Sequence, residues 1–346
     1  MNPILVLSQD ERDGRTALCA GLFRLLVDHQ NTPFLGKPIR VNDGNNNQQD
    51  PDARFFTQLS GIPQPEGWPI SLNLRDAQEG LARSTRERIA SDFIHAVEQT
   101  SSAIIEGPPA IYNGQVMGIA SDLAETLDAR VIFLLGYSSQ LQAKTVLPLC
   151  QTVGDRLVGA VINGVPRYQT NNITSHLVPE LESLGIKVLT VVPEARCMLG
   201  ITVEELVSHL NGRLVSKQDK QNELVEHVMI GGLVLGSGVD YFNRYERKVV
   251  IVRGDRPDIQ MAALRTATQC LVLTGGHLPI EYVEHEASEA GVALALVADD
   301  TLTTTRRMNT LFQSANVHYP AKADCYARLL SREGGQENLA ASLING

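Results

Sequence analysis

The chain has 346 residues, 43% of them apolar and 20% charged, enough for about two domains with sizeable cores. Its 39 acidic and 30 basic side chains give a net charge of −9, which argues against nucleic acid as the main partner. Five scattered cysteines form no CxxC pair, the N-terminus has no basic leader, and no run reaches the roughly 18 apolar residues of a membrane helix, so a soluble, cytoplasmic protein with no membrane partner is expected.

Short apolar runs alternate with amphipathic stretches along the chain. Strands are expected at Ile4–Leu7, Ala103–Ile105, Val131–Leu135, Leu157–Ile162 and Ile186–Val192. Helices are expected at Thr16–His29, Asp76–Gln99, Gly118–Leu127, Ser139–Val153, Asn172–Leu184 and Val203–Leu210. This alternation predicts an α/β fold with a mostly parallel sheet. The polar stretch Asn42–Asp52 reads as a surface loop, and 213–222 as a linker. The alternation then restarts. Strands are expected at Leu233–Leu235, Val249–Val252, Cys270–Thr274 and Val292–Val297, and helices at Pro257–Thr268, Pro279–Ala290 and Thr301–Leu311. The predicted organisation is a first domain over 1–212, a smaller α/β domain over 223–335 and a tail over 336–346.

The first strand runs into SQDERDGRT, where a working phosphate loop would stand. Gly14, Arg15 and Thr16 occupy the positions of its Gly-Lys-Ser/Thr ending, with Arg for Lys, and Ser8 stands where the first glycine would be. Arginine keeps the charge, but its planar fork does not replace a lysine point charge cleanly. Asp10, Glu11 and Asp13 place three carboxylates in the loop, against an approaching polyphosphate. Lys37 precedes Pro38 at the end of a second short strand, Glu106 ends IIEG, and Asn163 ends VGAVIN. Each has a plain alternative: a rim charge, a turn cap and a turn residue.

This ordered set resembles the dethiobiotin synthetase-like phosphate-loop fold. The resemblance implies that Lys37 contacts substrate or phosphate, that Glu106 with Thr16 holds magnesium, and that Asn163 contacts adenine. ATP and Mg2+ are the cofactors implied.

Further on, RGDRPD (253–258) and LTGGH (273–277) each leave a strand, where open α/β sheets bind ligands or partners. Arg253, Asp255, Arg256, Asp258, Thr274, Gly275, Gly276 and Thr301 are the candidate ligand or interface residues. Paired arginines and glycine amides suit an anion; internal Asp–Arg pairs and a tight strand exit are the structural alternative. DRPD followed by TGG resembles the DRTGG domain. The two domains in this order resemble the N-terminal, regulatory half of long-form phosphate acetyltransferase, with no residues left for its acetyltransferase domain. The resemblance implies a non-catalytic regulatory or sensor protein that binds a small anionic metabolite or nucleotide, forms a homo-oligomer and meets a protein partner. The competing reading is an ATP-dependent, carboxylate-activating enzyme. No catalytic residue is assigned, and His95, His176, His209, His227 and His285 read as surface positions.

Overall fold

Strand β1 (Ile4–Ser8) is buried along its whole length, as expected of a central parallel strand covered on both faces. The computed structural model describes residues 3–28, 33–41, 49–98, 100, 102–112, 115–215, 223–232, 238–313 and 315–331. Around β1 stand β2 (Pro33–Gly36), β3 (Ser102–Pro109), β4 (Arg130–Gly136), β5 (Leu157–Val165) and β6 (Val188–Pro193). They form one all-parallel sheet in the order β6-β5-β4-β1-β3-β2. Phe34, Phe133, Leu5 and Leu7 are fully enclosed in its core, each worth about 1.5–3 kcal/mol of burial.

The chain divides into two units, Met1–Glu194 with Val317–Gly346, and Ala195–Asn316. This differs from the sequence-based partition at both ends of the second domain. Helix Val203–His209 and the short strand β7 (Arg213–Leu214) belong to the second unit, because Val203, Leu206 and Val207 pack with Val249 and Ile251, and β7 pairs with Leu296 and Ala295. Helix Pro320–Ser331, expected in the second domain, returns to the first unit. There it covers the first helix, Arg15–Asp28, with Arg24 and Asp324 paired at 2.9 Å. At Gly21 a Cβ would stand 2.7 Å from the Tyr326 ring, so the two helices need a glycine to approach this closely.

In the second unit β8 (His227–Gly231), β9 (Lys248–Arg253), β10 (Thr268–Thr274) and β11 (Ala293–Leu296) are parallel, in the order β7-β11-β10-β9-β8, with β7 antiparallel at the edge. β8 takes the place expected of Leu233–Leu235, which lies outside the described residues together with most of the predicted loop, the linker from 216 on and the tail. The expected helix Asp76–Gln99 is two helices, Leu74–Glu79 and Arg83–Val97, broken at Gly80, whose φ of 102° favours glycine. His227, expected at the surface, lies half-buried on a strand and stacks on Tyr245 at 4.3 Å. Among the described residues no helix is long and apolar enough to cross a membrane.

Candidate functional site

The loop between β1 and the first helix is pinned at its start. Gln9 N–H donates to the Leu134 carbonyl and Ile111 N–H to the Gln9 carbonyl. Gly14, at φ 97°, then turns the chain into the helix, whose positive end opens on a cleft of about 400 Å³. Glu11, Arg12, Gly14, Arg15, Thr16, Lys37, Asp52, Glu106 and Val317 line that cleft. Of the predicted nucleotide and metal residues, Gly14, Arg15, Thr16, Lys37 and Glu106 are thus brought together in the wall of one cavity, and Asn163 is not.

Their orientations differ from a working phosphate loop. Arg15 is buried, and its guanidinium turns inward: one terminal nitrogen donates to Ser8 Oγ at 2.6 Å, and Nε lies 4.0 Å from Glu106. Of the three loop carboxylates, Asp13 is folded inward against Gly136 and accepts from the Asp10 N–H at 2.7 Å. Burial pushes its carboxyl above the ordinary value. The expected repulsion by three loop carboxylates therefore reduces, in the cleft wall itself, to Glu11.

Lys37, held extended by the following proline, sends its ammonium into a nest of carboxylates. Glu106 lies at 3.3 Å, Asp50 at 3.4 Å, and Asp52 is hydrogen-bonded to it. Asp50 also caps the helix Pro51–Ser60, accepting from the Asp52 and Ala53 N–H groups at 3.0 Å. Burial opposes the Lys37 charge, but Glu106, Asp52 and Asp50 outweigh it and hold the ammonium above the usual lysine range. Asp52 is likewise held well below the ordinary carboxylate range, burial being outweighed by His318 and Lys37. Lys37 is thus no rim charge.

Glu106 is enclosed on β3, and burial pushes its carboxyl above the ordinary value against the pull of Lys37. The neighbouring Thr16 hydroxyl favours its charge, and its Oε2 is buried with no hydrogen-bond partner among the described residues. A hydroxyl beside an unsatisfied carboxylate oxygen is a donor set that suits Mg2+. Asn163 is committed at both ends: Nδ2 donates to the Asp13 carbonyl at 2.7 Å, and Oδ1 accepts from the Tyr326 hydroxyl at 2.7 Å. That geometry fastens the phosphate loop to the C-terminal helix, where adenine contact was expected.

Asp50, Asp52, His318 and Tyr326 were missed from the sequence. Two signals pointed to them. Asp50-Pro51-Asp52 is a helix-start pattern, and the first helix is apolar on nearly every face, from Leu18 to Leu26, so a second layer had to cover it.

In the second unit the two arginines are engaged within their own motif. Arg253 pairs with Asp255, while Arg256 grips Asp258 through two hydrogen bonds of 2.9 and 2.7 Å. The Gly275 and Gly276 N–H groups donate to the Asp299 and Val297 carbonyls at 2.9 and 3.0 Å, so they tie neighbouring strand ends together and do not converge on an anion. Thr274 and Thr301 share a hydroxyl hydrogen bond of 2.9 Å, and buried Gln260 donates to the Arg253 and Gly254 carbonyls. A further cleft of about 470 Å³ beside Tyr137, Gln142 and His176 holds none of the predicted residues. Among the described residues no cluster of three or more His, Cys, Asp or Glu could hold a metal.

Residues 205–311 match the DRTGG domain family, and residues 2–198 match an AAA domain family. The phosphate acetyltransferase of Synechocystis sp. is 21% identical over 280 residues, which is 77% of this chain and 40% of that protein. The chain therefore spans about two fifths of the length of this relative. Among solved structures, the cell division protein MinD of Aquifex aeolicus is 13% identical, over 57% of this chain and 84% of that one, at a TM-score of 0.37. The CBS and DRTGG domains of the regulatory region of Clostridium perfringens pyrophosphatase, solved with the activator diadenosine tetraphosphate, are 20% identical, over 34% of this chain and 48% of that one, at a TM-score of 0.29. With its AAA domain of phosphate-loop type spanning more than half of the sequence and a DRTGG domain after it, the chain belongs to the AAA domain family.

Proposed function

We propose that this chain is a regulatory module whose phosphate loop senses a nucleotide or another polyphosphate anion. The supporting observation is the Lys37 nest. The ammonium and the Arg15 guanidinium, which would meet the phosphates, are already engaged by Asp52, Asp50, Glu106 and Ser8. Ligand phosphate has to exchange with internal carboxylates, which couples binding to a rearrangement of the site. Thr16 and Glu106 would hold the magnesium ion that accompanies a nucleotide. That ion would neutralise phosphate charge. Gly14 and the helix N-terminus would supply N–H donors to the phosphates.

In this reading Asn163 is a loop anchor. In the second unit, Arg253, Asp255, Arg256, Asp258, Gly275 and Gly276 hold the strand exits in shape. Thr274 and Thr301 join those exits, and the face they form serves assembly with a second copy or another protein. The similarity to part of a phosphate acetyltransferase supports a role beside such an enzyme, and acetyl transfer itself is assigned to no residue described above.

Isothermal titration of the purified chain with magnesium ATP, ADP and diadenosine tetraphosphate tests the reading. Saturable binding that is lost in Thr16→Ala, with ATP turnover at background, is the expected outcome. Absence of binding in the intact chain refutes it. Sustained ATP turnover abolished by Thr16→Ala would establish the ATP-dependent enzyme in its place, for which the Thr16–Glu106 pair is the favouring observation.

A further inference from the structure

The segment that follows the second unit re-enters the first at the phosphate cleft. Val317 lines the cleft, and the next residue, His318, places Nε2 2.7 Å from Asp52 Oδ1. The His318 ring also stands edge-on to Phe55, 5.6 Å between centroids, which holds its plane. Asp52 uses its two oxygens for two different partners, Oδ1 for His318 and Oδ2 for Lys37. Eight residues further on, Tyr326 of the same segment holds Asn163, and through it the loop carbonyl of Asp13. One segment therefore touches both walls of the site.

We propose that His318 is a positioning residue which sets the anion affinity of the phosphate loop by keeping a second partner for Asp52. The proposal rests on the reading of the loop as an anion site. When ligand phosphate takes the Lys37 ammonium, Asp52 is released from that cation, and His318 remains to satisfy it. Asp52 is thus the internal competitor of the ligand, and His318 lowers the cost of displacing it.

The two side chains then have opposite effects. In Asp52→Asn the competitor loses its charge, and the affinity for anions rises by about tenfold or more, the scale of one charged hydrogen bond. In His318→Ala a released Asp52 has no histidine to turn to, and the affinity falls by about five- to tenfold. His318→Asn, which keeps a donor, stays within about threefold of the wild type. In the Asp52→Asn background, His318→Ala changes affinity by less than about twofold, because its effect passes through Asp52.

Titration of the wild type and the four variants with magnesium ATP and with inorganic pyrophosphate, each checked for an intact first unit by Trp68 fluorescence, reads these values. The expected result is the opposed pair of shifts and the silent double variant. A His318→Ala loss of the same size in both backgrounds, or an Asp52→Asn protein that binds no tighter than wild type, overturns the proposal while leaving the anion site standing. No binding by any of the proteins overturns both.

Discussion

Replacing Lys37 with methionine removes the cation from a buried nest of three carboxylates, so the loss exceeds that of one ion pair. At an effective dielectric of about 20, charges 3.3 and 3.4 Å apart attract by about 5 kcal/mol per pair, and desolvation cancels much of that. Breaking a buried pair by deleting one partner costs about 3–5 kcal/mol, because the remaining charges lose their compensation. The same variant carries a pH signature. Glu106 already has its carboxyl raised by burial, and without Lys37 it rises further. A carboxyl with a raised pKa stabilises the fold while protonated and loses that contribution as pH rises through the folded value. Lys37→Met is therefore expected to be less destabilised at pH 5 than at pH 8. Trp68 is the single tryptophan of the chain and is buried in the first unit, with its ring edge-on to Phe34. Its fluorescence in a urea titration thus follows that unit alone. A loss below about 1 kcal/mol at pH 8, or a loss no smaller at pH 5, would refute the account of the nest.

Other variants probe the rest of the structure. Tyr326→Phe leaves Asn163 Oδ1 without its hydroxyl donor and is expected to cost about 0.5–1.5 kcal/mol in the same fluorescence-monitored titration. Gly14→Ala combines a φ of 97° with a Cβ 2.8 Å from Asn163 Nδ2, and should cost about 1–3 kcal/mol and abolish nucleotide binding in calorimetry. Lys248 starts β9, fully enclosed, with no hydrogen-bond partner for its ammonium among the described residues; burial brings its pKa down to about 8, opposed by Glu246. A lysine with a lowered pKa costs stability in full below about pH 8, and the cost fades as pH rises toward the ordinary value of 10.5. Lys248→Met should therefore slow hydrogen exchange across Lys248–Arg253 by the equivalent of about 1–2 kcal/mol at pH 7, with a smaller gain at pH 9.5.

Local patterning by itself determined much of this protein. The alternation of apolar runs and amphipathic stretches located the parallel strands of both sheets apart from β8, because burial of a parallel strand on both faces leaves an unbroken apolar run, while the antiparallel edge strand β7 fell in the expected linker. The strand-end positions of Lys37, Arg253 and Gly275 followed from the same periodicity, whereas Glu106, expected at a strand end, lies inside β3. What the tertiary structure alone decided is which charges meet. His318 reaches Asp52 across 266 residues, and Tyr326 reaches Asn163 across 163. Periodicity reports which face of an element is buried, not which distant segment buries it, so Pro320–Ser331 read as the end of the second domain until its packing on the first helix was known. The same limit hid the fate of the cations. A lysine or arginine at the mouth of a phosphate loop looks available in a sequence, and only the fold reveals that Asp50, Asp52, Glu106 and Ser8 already hold Lys37 and Arg15.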